Sequence, residues 1–562
     1  MNWTFEYSKE ILVKEFNLLI ECDVSADNEG YCTFTIKNKN LHESLKILKE
    51  KYQFLKLVDV IAYSSTDKKQ ISQGDIELIF ILERPVDSQI IFLKTFIERN
   101  EQIADFSNLW QVGDWYLREI FEFFGTTNNA GRNKQLLTHD HIKGFLLRKD
   151  DTCEAIKEST YRNSFKLSST LVPTVNSSKQ WFSFGPFHPS TNKQFRILME
   201  IEEDCIGASE IEIGYHHIGL EKKFEETNSL SILQLLYKYK CLSGNSLPIL
   251  WCKTVEEILQ IPITDRIAAI RMLYLEMDRI FDHLQTIQRM LEFALNDVAS
   301  GLIKDIMQMF GEYMYQLGLS SDGRNPHRFG GFYQDIKRET VVFILQSIGK
   351  FERKVKQLEK QLTKSIQWID QLNTNLITAK DAMKFGLEGP NLRACGVKYD
   401  LRKNAPYYLY DEVEFDIPLG AYGNSYDRYY VRMKEIYESV KIISQILDNV
   451  PNGQYFVQNE KCELVEKNKL NESELNFKNY DAYYSQGPLL FSKEHFSRIE
   501  NARGSAGIFI KSIGDYLPYR FKIIGPSYKL LSSFQEIIRN ENIKRLPLLL
   551  RSFDINIHEV DR

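Results

Sequence analysis

The sequence predicts an α+β fold in two parts: a small α+β module at the N-terminal end and a larger, mainly helical domain with small β-sheets. Three observations predict it. Short runs rich in β-branched and aromatic residues mark strands near both ends of the chain. Long central stretches carry apolar residues at three- and four-residue spacing over many turns, the pattern of helices that bury one stripe against each other. Between the two parts, residues 151–179 are polar and rich in Ser, Thr and Asn, the composition of a linker. The predicted units are residues 1–150 and 180–562.

In order along the chain, "YCTFTI" and "DIELIFILERP" read as strands and "LHESLKILKEKYQFL" as a helix. "GDWYLREIFEFFG" reads as an aromatic-acidic helix running into a Gly/Asn loop. After the linker, two strand-like runs flank "GPFHPSTNKQFR", Gly185 to Arg196. Helices are predicted over 264–295, 338–372 and 426–447, and strands return in "AGIFIKSI" and "YRFKIIGPSY". There is no repeat period and no low-complexity segment.

With 562 residues the chain can bury a large core. Hydrophobic residues make up 43% and charged residues 26%, ordinary for a globular protein. A net charge of −5 leaves no basic footprint, which excludes nucleic acid as an expected partner. The first twenty residues intersperse charges through their apolar run and do not read as a signal peptide. No apolar stretch reaches the roughly 18–20 residues that span a bilayer. The expectation is a chain with no transmembrane segment.

The eight cysteines form no CxxC pair, so zinc and iron–sulfur ligation have no usual signal and reduced structural thiols are expected. "HDH" (His139 to His141) and "YHHIG" (Tyr215 to Gly219) lack the partner spacing of a metal site, because adjacent side chains diverge. "GSAG" (Gly504 to Gly507) lacks the lysine and the spacing of a phosphate loop. "NIHEVDR", taken alone, is a polar tail. Two arginines on small-residue turns, Arg393 in "NLRACG" and Arg503 in "NARGSAG", have two readings. Either their guanidinium stabilises an anionic or reduced centre supplied by a partner, or it is held in a structural ion pair. The Gly185–Arg196 loop, tightened by Gly and two prolines, can push polar side chains into a cavity between sheet and helices.

The stretch from Gly389 to Ile443, "GPNLRACGVKYDLRKNAPYYLYDEVEF…ESVKII", resembles the D subunit of respiratory complex I, a family descended from the large subunit of [NiFe] hydrogenases. "GPFHPSTNKQFR", "IGYHHIGLEK", "PHRFGGFYQDI", "NARGSAGIFI", "PYRFKIIGPSY" and the final "EVDR" match in the same order. "DWYLREIFEFFG" and "KGFLLRKDD" are similar to the C subunit, so the chain resembles a fused CD subunit over roughly residues 50 to 562. The resemblance implies a hydrogenase large-subunit-like fold for 180–562. The hydrogenase thiolates would fall at Lys240 to Ser243 and at Asn556 and Glu559. No ligand thiolate stands at those places, so a [NiFe] centre has nothing soft to bind it.

In that family the D subunit walls the quinone headgroup cavity, with a second histidine in "GPxHPSxHG" and a tyrosine on the following helix as headgroup partners and an aspartate farther along that pairs with the histidine. A quinone that gains two electrons also needs two protons, which His and Tyr can supply. Carried onto this chain, the cavity residues become His188, Asn192 at the second histidine, Cys241 at the tyrosine and Phe293 at the aspartate. Asn192 can donate a hydrogen bond but delivers no proton near neutral pH; a thiol such as Cys241 has a reference pKa of about 8.5. Arg328, Arg393 and Arg503 become candidates for the interface with an iron–sulfur subunit.

The resemblance implies no catalytic metal and no cofactor bound by this chain alone. The iron–sulfur cluster would lie in a B-type partner subunit, and quinone is a candidate ligand. Other peripheral-arm and membrane-arm subunits are implied as partners, on the cytoplasmic side of the cell membrane. Two functions follow: a subunit of an NADH:quinone oxidoreductase-like translocase with a modified cavity, or a redox-inactive scaffold that has lost both the metal site and the quinone ligands.

Overall fold

The structure is a computed structural model, and it describes residues 23–26, 31–65, 76–98, 101–129, 131, 133–138, 142–149, 154–155, 180–191, 193–239, 244–294, 297–319, 325–457 and 485–562. The N-terminal part holds strands β1 (Asp23–Ala26), β2 (Cys32–Lys37), β3 (Lys56–Ser64), β4 (Ile76–Arg84) and β5 (Gln89–Ile97), with helices α1 (Leu41–Glu50) and α2 (Gly113–Phe124). The strands form one sheet in the order β1-β2-β5-β4-β3, with β2 and β5 parallel and the other pairs antiparallel. The strand and helix expectations for this part hold.

The continuous apolar run of β4 has a physical cause. Every residue from Ile76 to Arg84 is buried, because both faces of the sheet are covered. Leu78, Phe80 and Leu82 pack with Leu41, Leu45 and Trp115 on one side. Ile79 and Ile81 on the other side pack with Phe496, Phe509 and Ile524 from the far end of the sequence. Charged pairs close the same seam. Glu83 meets Lys56 at 2.9 Å and Arg498 at 2.7 Å, Lys522 meets Asp59 and Glu119 at 2.9 Å each, and Arg562 reaches Glu119 at 3.1 Å. The two units predicted from sequence therefore share one interior.

The larger part begins with an antiparallel three-stranded sheet of β6 (Gln180–Phe184), β7 (Arg196–Glu202) and β8 (Cys205–Glu212). Helices α3 (Leu220–Glu225), α4 (Ser229–Tyr239), α5 (Ser246–Leu259), α6 (Asp265–Ala294), α7 (Asp297–Gln316), α8 (Arg338–Thr363), α9 (Gly389–Ala394) and α10 (Ser425–Asp448) follow. A second antiparallel sheet of β9 (Lys493–Asn501), β10 (Gly504–Ser512) and β11 (Arg520–Ile524) leads to α11 (Pro526–Ser532), α12 (Leu546–Phe553) and α13 (Ile557–Val560).

α6 and α10 are the two central helices, and α12 packs on both. The predicted helices 264–295 and 426–447 match α6 and α10 closely. The predicted helix 338–372 does not run through. It stops at Thr363, and a short helix Ile366–Gln371 restarts behind Ser365, whose hydroxyl accepts from the backbone N–H of Trp368. The "polar tail" expectation for "NIHEVDR" is also overturned. Glu559, Asp561 and Arg562 are buried, and Asp561 accepts from the backbone N–H groups of Gly214 and His216.

No described helix is long and apolar enough to cross a membrane. Among the described cysteines, Cys32, Cys252 and Cys395 are buried and Cys205 is exposed.

Candidate functional site

The Gly185–Phe195 loop connects β6 to β7 and is held by short local bonds. Gly185 has φ +88, and a Cβ there would run into the carbonyl oxygen of Phe195, so only glycine fits the turn. The His188 ring lies 4.0 Å from the Phe184 ring centre. Its Nδ1 accepts from the Ser190 hydroxyl (2.7 Å) and from the Ser190 backbone N–H (3.2 Å), while Thr191 Oγ1 donates to the His188 carbonyl (2.8 Å). An accepting Nδ1 puts the proton of the neutral ring on Nε2. Burial, with the nearby Arg551 charge, pushes the His188 pKa down, so the ring is neutral at neutral pH.

Beneath the loop lies a small cavity. Ser190, Thr191 and Phe195 line it from the loop, Arg289 from α6, and Leu550, Arg551, Asp554 and Ile555 from α12 and the turn after it. It encloses about 10 Å³, room for one water molecule. Arg551 Nη2 donates to the carbonyl of Pro189, and the Arg551 guanidinium lies 5.5 Å from the Phe293 ring centre. Phe293 is half-buried on α6, one turn beyond Arg289. Neither His188 nor Phe293 lines the cavity itself; each lies near Arg551. Asn192 and Cys241 lie outside the described residues, as do His139 to His141.

A buried ionic cluster backs the cavity. Asp554 Oδ1 is 3.4 Å from Arg289 Nη1, and its Oδ2 is 2.9 Å from Arg503 Nε. Arg503 Nη2 meets Asp282 Oδ1 at 2.7 Å. The "NARG" turn places Arg503: the Asn501 side-chain oxygen accepts from the backbone N–H groups of Arg503 (2.7 Å) and Gly504 (3.0 Å).

Burial pushes Asp282 up to about 6, with Arg503 opposing and Asp554 adding to the rise. Burial likewise pushes Glu559 up to about 7, against the pull of Arg503. Glu559 Oε2 accepts from the backbone N–H of Ser527 (3.1 Å), and its Oε1 has no hydrogen-bond partner among the described residues.

Arg393 is 0% exposed. Its guanidinium meets Glu435 at 2.7 Å, Glu500 at 2.9 Å and Asp400 at 3.4 Å. Here the ion-pair reading of this arginine describes its surroundings, and within this chain it presents no surface to a partner. Glu435 also meets His283 Nε2 at 2.8 Å.

Arg328 is half-buried on a two-residue ladder, His327–Arg328 against Gly331–Phe332. Its guanidinium lies 5.2 Å from the Phe456 ring centre and 5.8 Å from that of Tyr333. Arg503 is therefore tied to the cavity through Asp554, whereas Arg328 is packed among other residues. Among the described residues, no three His, Cys, Asp or Glu side chains group to hold a metal ion.

Sequence reasoning missed Arg289, Arg551, Asp554 and Asp282. The available signal was positional. Asp282, Arg289 and Phe293 recur at helical spacing on one face of α6, and Arg551 interrupts the apolar run "LPLLL" three residues before Asp554.

Residues 34–157 match the family described as respiratory-chain NADH dehydrogenase, 30 Kd subunit, and residues 324–562 match respiratory-chain NADH dehydrogenase, 49 Kd subunit. The C/D subunit of NADH-quinone oxidoreductase from Bdellovibrio bacteriovorus is 28% identical over 533 residues, covering 92% of this chain and 93% of the relative. The corresponding C/D protein of Aquifex aeolicus, the one numbered 2, is 26% identical over 601 residues and covers 100% of both chains. The D subunit of the same oxidoreductase from Ehrlichia ruminantium is 29% identical over 387 residues, 68% of this chain and 97% of its own. The two matched segments contain Arg328, Arg393 and Arg503, while His188, Asn192, Cys241 and Phe293 fall between them.

Proposed function

Because the chain belongs to the complex I subunit families, as a 30 kDa-type subunit fused to a 49 kDa-type one, we propose that it is a peripheral-arm subunit of a membrane-associated NADH:quinone oxidoreductase that forms a modified quinone cavity. It docks an iron–sulfur subunit, and electron transfer there is coupled to ion translocation by the membrane arm. NADH is oxidised on other subunits. The chain sits on the cytoplasmic face of the membrane and carries no redox cofactor of its own.

One observation carries the cavity reading: the Gly185–Phe195 loop and two arginines line one small recess, and the Phe293 ring lies 5.5 Å from one of those arginines, Arg551. A quinone takes two electrons and two protons to become a hydroquinone. The electrons arrive from the partner's cluster. Neutral His188 keeps Nε2–H for a carbonyl oxygen, and the buried carboxyls Asp282 and Glu559 titrate close enough to neutrality to hold protons behind the recess.

The larger part keeps, in this reading, the organisation of a hydrogenase large subunit without its metal chemistry. Glu559 and Asn556 stand where thiolates are needed, and a lone carboxylate with an amide does not suit nickel. Arg328, half-buried, is the iron–sulfur interface candidate with surface to offer.

A second reading, a redox-inactive scaffold or coupling subunit, is favoured by the small volume of the recess, about 10 Å³, which holds one water and does not enclose a whole ring. Purification of the assembly from its host membranes in mild detergent, with quinone reduction assayed, separates the two. Turnover blocked by quinone-site inhibitors supports the cavity; an intact assembly that reduces no quinone supports the scaffold.

A further inference from the structure

Arg551 is the unfinished group of the recess. It is 8% exposed, and only Nη2 is spoken for, by the Pro189 carbonyl. Nε and Nη1 are buried and have no hydrogen-bond partner among the described residues. Buried guanidinium N–H groups without partners are costly, and native proteins rarely keep them without an occupant in view. The carboxylate on the same wall, Asp554, is engaged by Arg503 and Arg289.

The surroundings say what kind of occupant fits. Phe195, Leu550 and Ile555 give the wall an apolar character beside two cations, of which Arg289 is already paired with Asp554, so Arg551 is the cation left over. A phosphate or sulfate would bring more negative charge than Arg551 offers while Asp554 faces it. A flat apolar ring that carries one polar oxygen matches better: the oxygen needs the room of one water, and the ring lies outward against the loop.

We propose that Arg551 is the acceptor-binding residue of this recess, donating one of its two spare N–H groups to a carbonyl oxygen of a quinone headgroup. This deepens the cavity reading above and rests on it. The two spare donors leave from different edges of the guanidinium plane, so the second is left for water. Arginine stays charged at any working pH. It therefore supplies grip, and countercharge as the oxygen gains electron density, while the two protons of the hydroquinone come from other groups and both electrons from the partner's iron–sulfur cluster.

The test uses the full chain and the whole assembly. Menadione is titrated into the purified chain with tryptophan fluorescence as readout, and KM for quinone is measured on the assembly. Reduction of ferricyanide at the electron-input end serves as control. Arg551→Met keeps the stem and removes the donors; Arg551→Lys keeps charge and one point donor. The expected result is at least about tenfold weaker menadione binding and a matching rise in KM for Arg551→Met. Arg551→Lys recovers part of both, and ferricyanide rates stay unchanged.

Should Arg551→Met fail to fold, Arg551→Lys alone still must weaken binding. Variants that bind menadione as tightly as the wild type, with only the loop made sensitive to protease, would reduce Arg551 to a latch on Pro189 and overturn the proposal. Wild-type chain that binds no menadione overturns it as well. Arg551-dependent binding in an assembly that reduces no quinone would sink the reductase reading and leave this one standing.

Discussion

Arg503 and Asp282 meet at 2.7 Å inside the protein, 7% and 5% exposed, and the same guanidinium reaches Asp554 at 2.9 Å. One cation thus neutralises two carboxylates contributed by α6 and by the turn after α12. Burial alone would lower the Arg503 pKa, but Asp282 and Asp554 outweigh it and raise it.

Arg503→Met should therefore be among the most damaging single changes in the chain. It leaves two buried acids facing each other, a loss of about 3–5 kcal/mol. Urea unfolding of the purified chain checks this. The deficit should be larger at pH 8 than at pH 5, because acid lets the stranded carboxyls protonate; an equal deficit at both would mean that the charges are not the cause.

Glu559 gives a pH signature of opposite appeal. Its folded pKa of about 7 lies above the unfolded value of about 4.3. A raised pKa contributes stability that is complete below the unfolded value and is lost as pH rises through the folded one. Glu559→Gln removes that loss. The variant should match the wild type near pH 4 and exceed it at pH 8, by up to about 4 kcal/mol from the size of the shift. Parallel stability–pH curves for the two proteins would refute the assignment.

The loop makes a steric prediction. Gly185→Ala forces a Cβ into the Phe195 carbonyl at φ +88, which should cost about 1–3 kcal/mol and disorder the turn. Hydrogen exchange at residues 184–191 should quicken while the N-terminal sheet is unaffected.

Restoring the family's side chains tests the cavity from the other direction. Asn192→His combined with Cys241→Tyr should preserve or raise quinone turnover in the assembly. If rate and KM are both untouched, those two positions do not line the site.

Much of this was legible in the sequence, for reasons that differ by element. The Gly185–Phe195 turn was marked by Gly and two prolines, residues whose backbone limits act locally. α6 and α10 were visible because a one-sided helix writes its burial into a 3.6-residue period. The break at Ser365 was not, because the apolar spacing resumes in phase after it and only the hydroxyl cap betrays it. Nor was the burial of "EVDR", whose charges are paired with Gly214, Glu119 and Glu221, residues more than three hundred positions away. Arg551 escaped for a related reason. A lone arginine at the end of an apolar helix reads as a surface residue until the loop that folds over it is in place.

The seam between the N-terminal sheet and the β9–β11 sheet has a consequence for how the protein is made. Ile79 and Ile81 on one side, Phe496 and Ile524 on the other, and the Glu83–Arg498 and Asp59–Lys522 pairs belong to segments translated some four hundred residues apart. The ribosome therefore releases a half-clad sheet that must wait for the end of its own message to be covered. A single reading frame guarantees that the cover always arrives, in equal number and on the same molecule, so the two halves never have to find each other by diffusion.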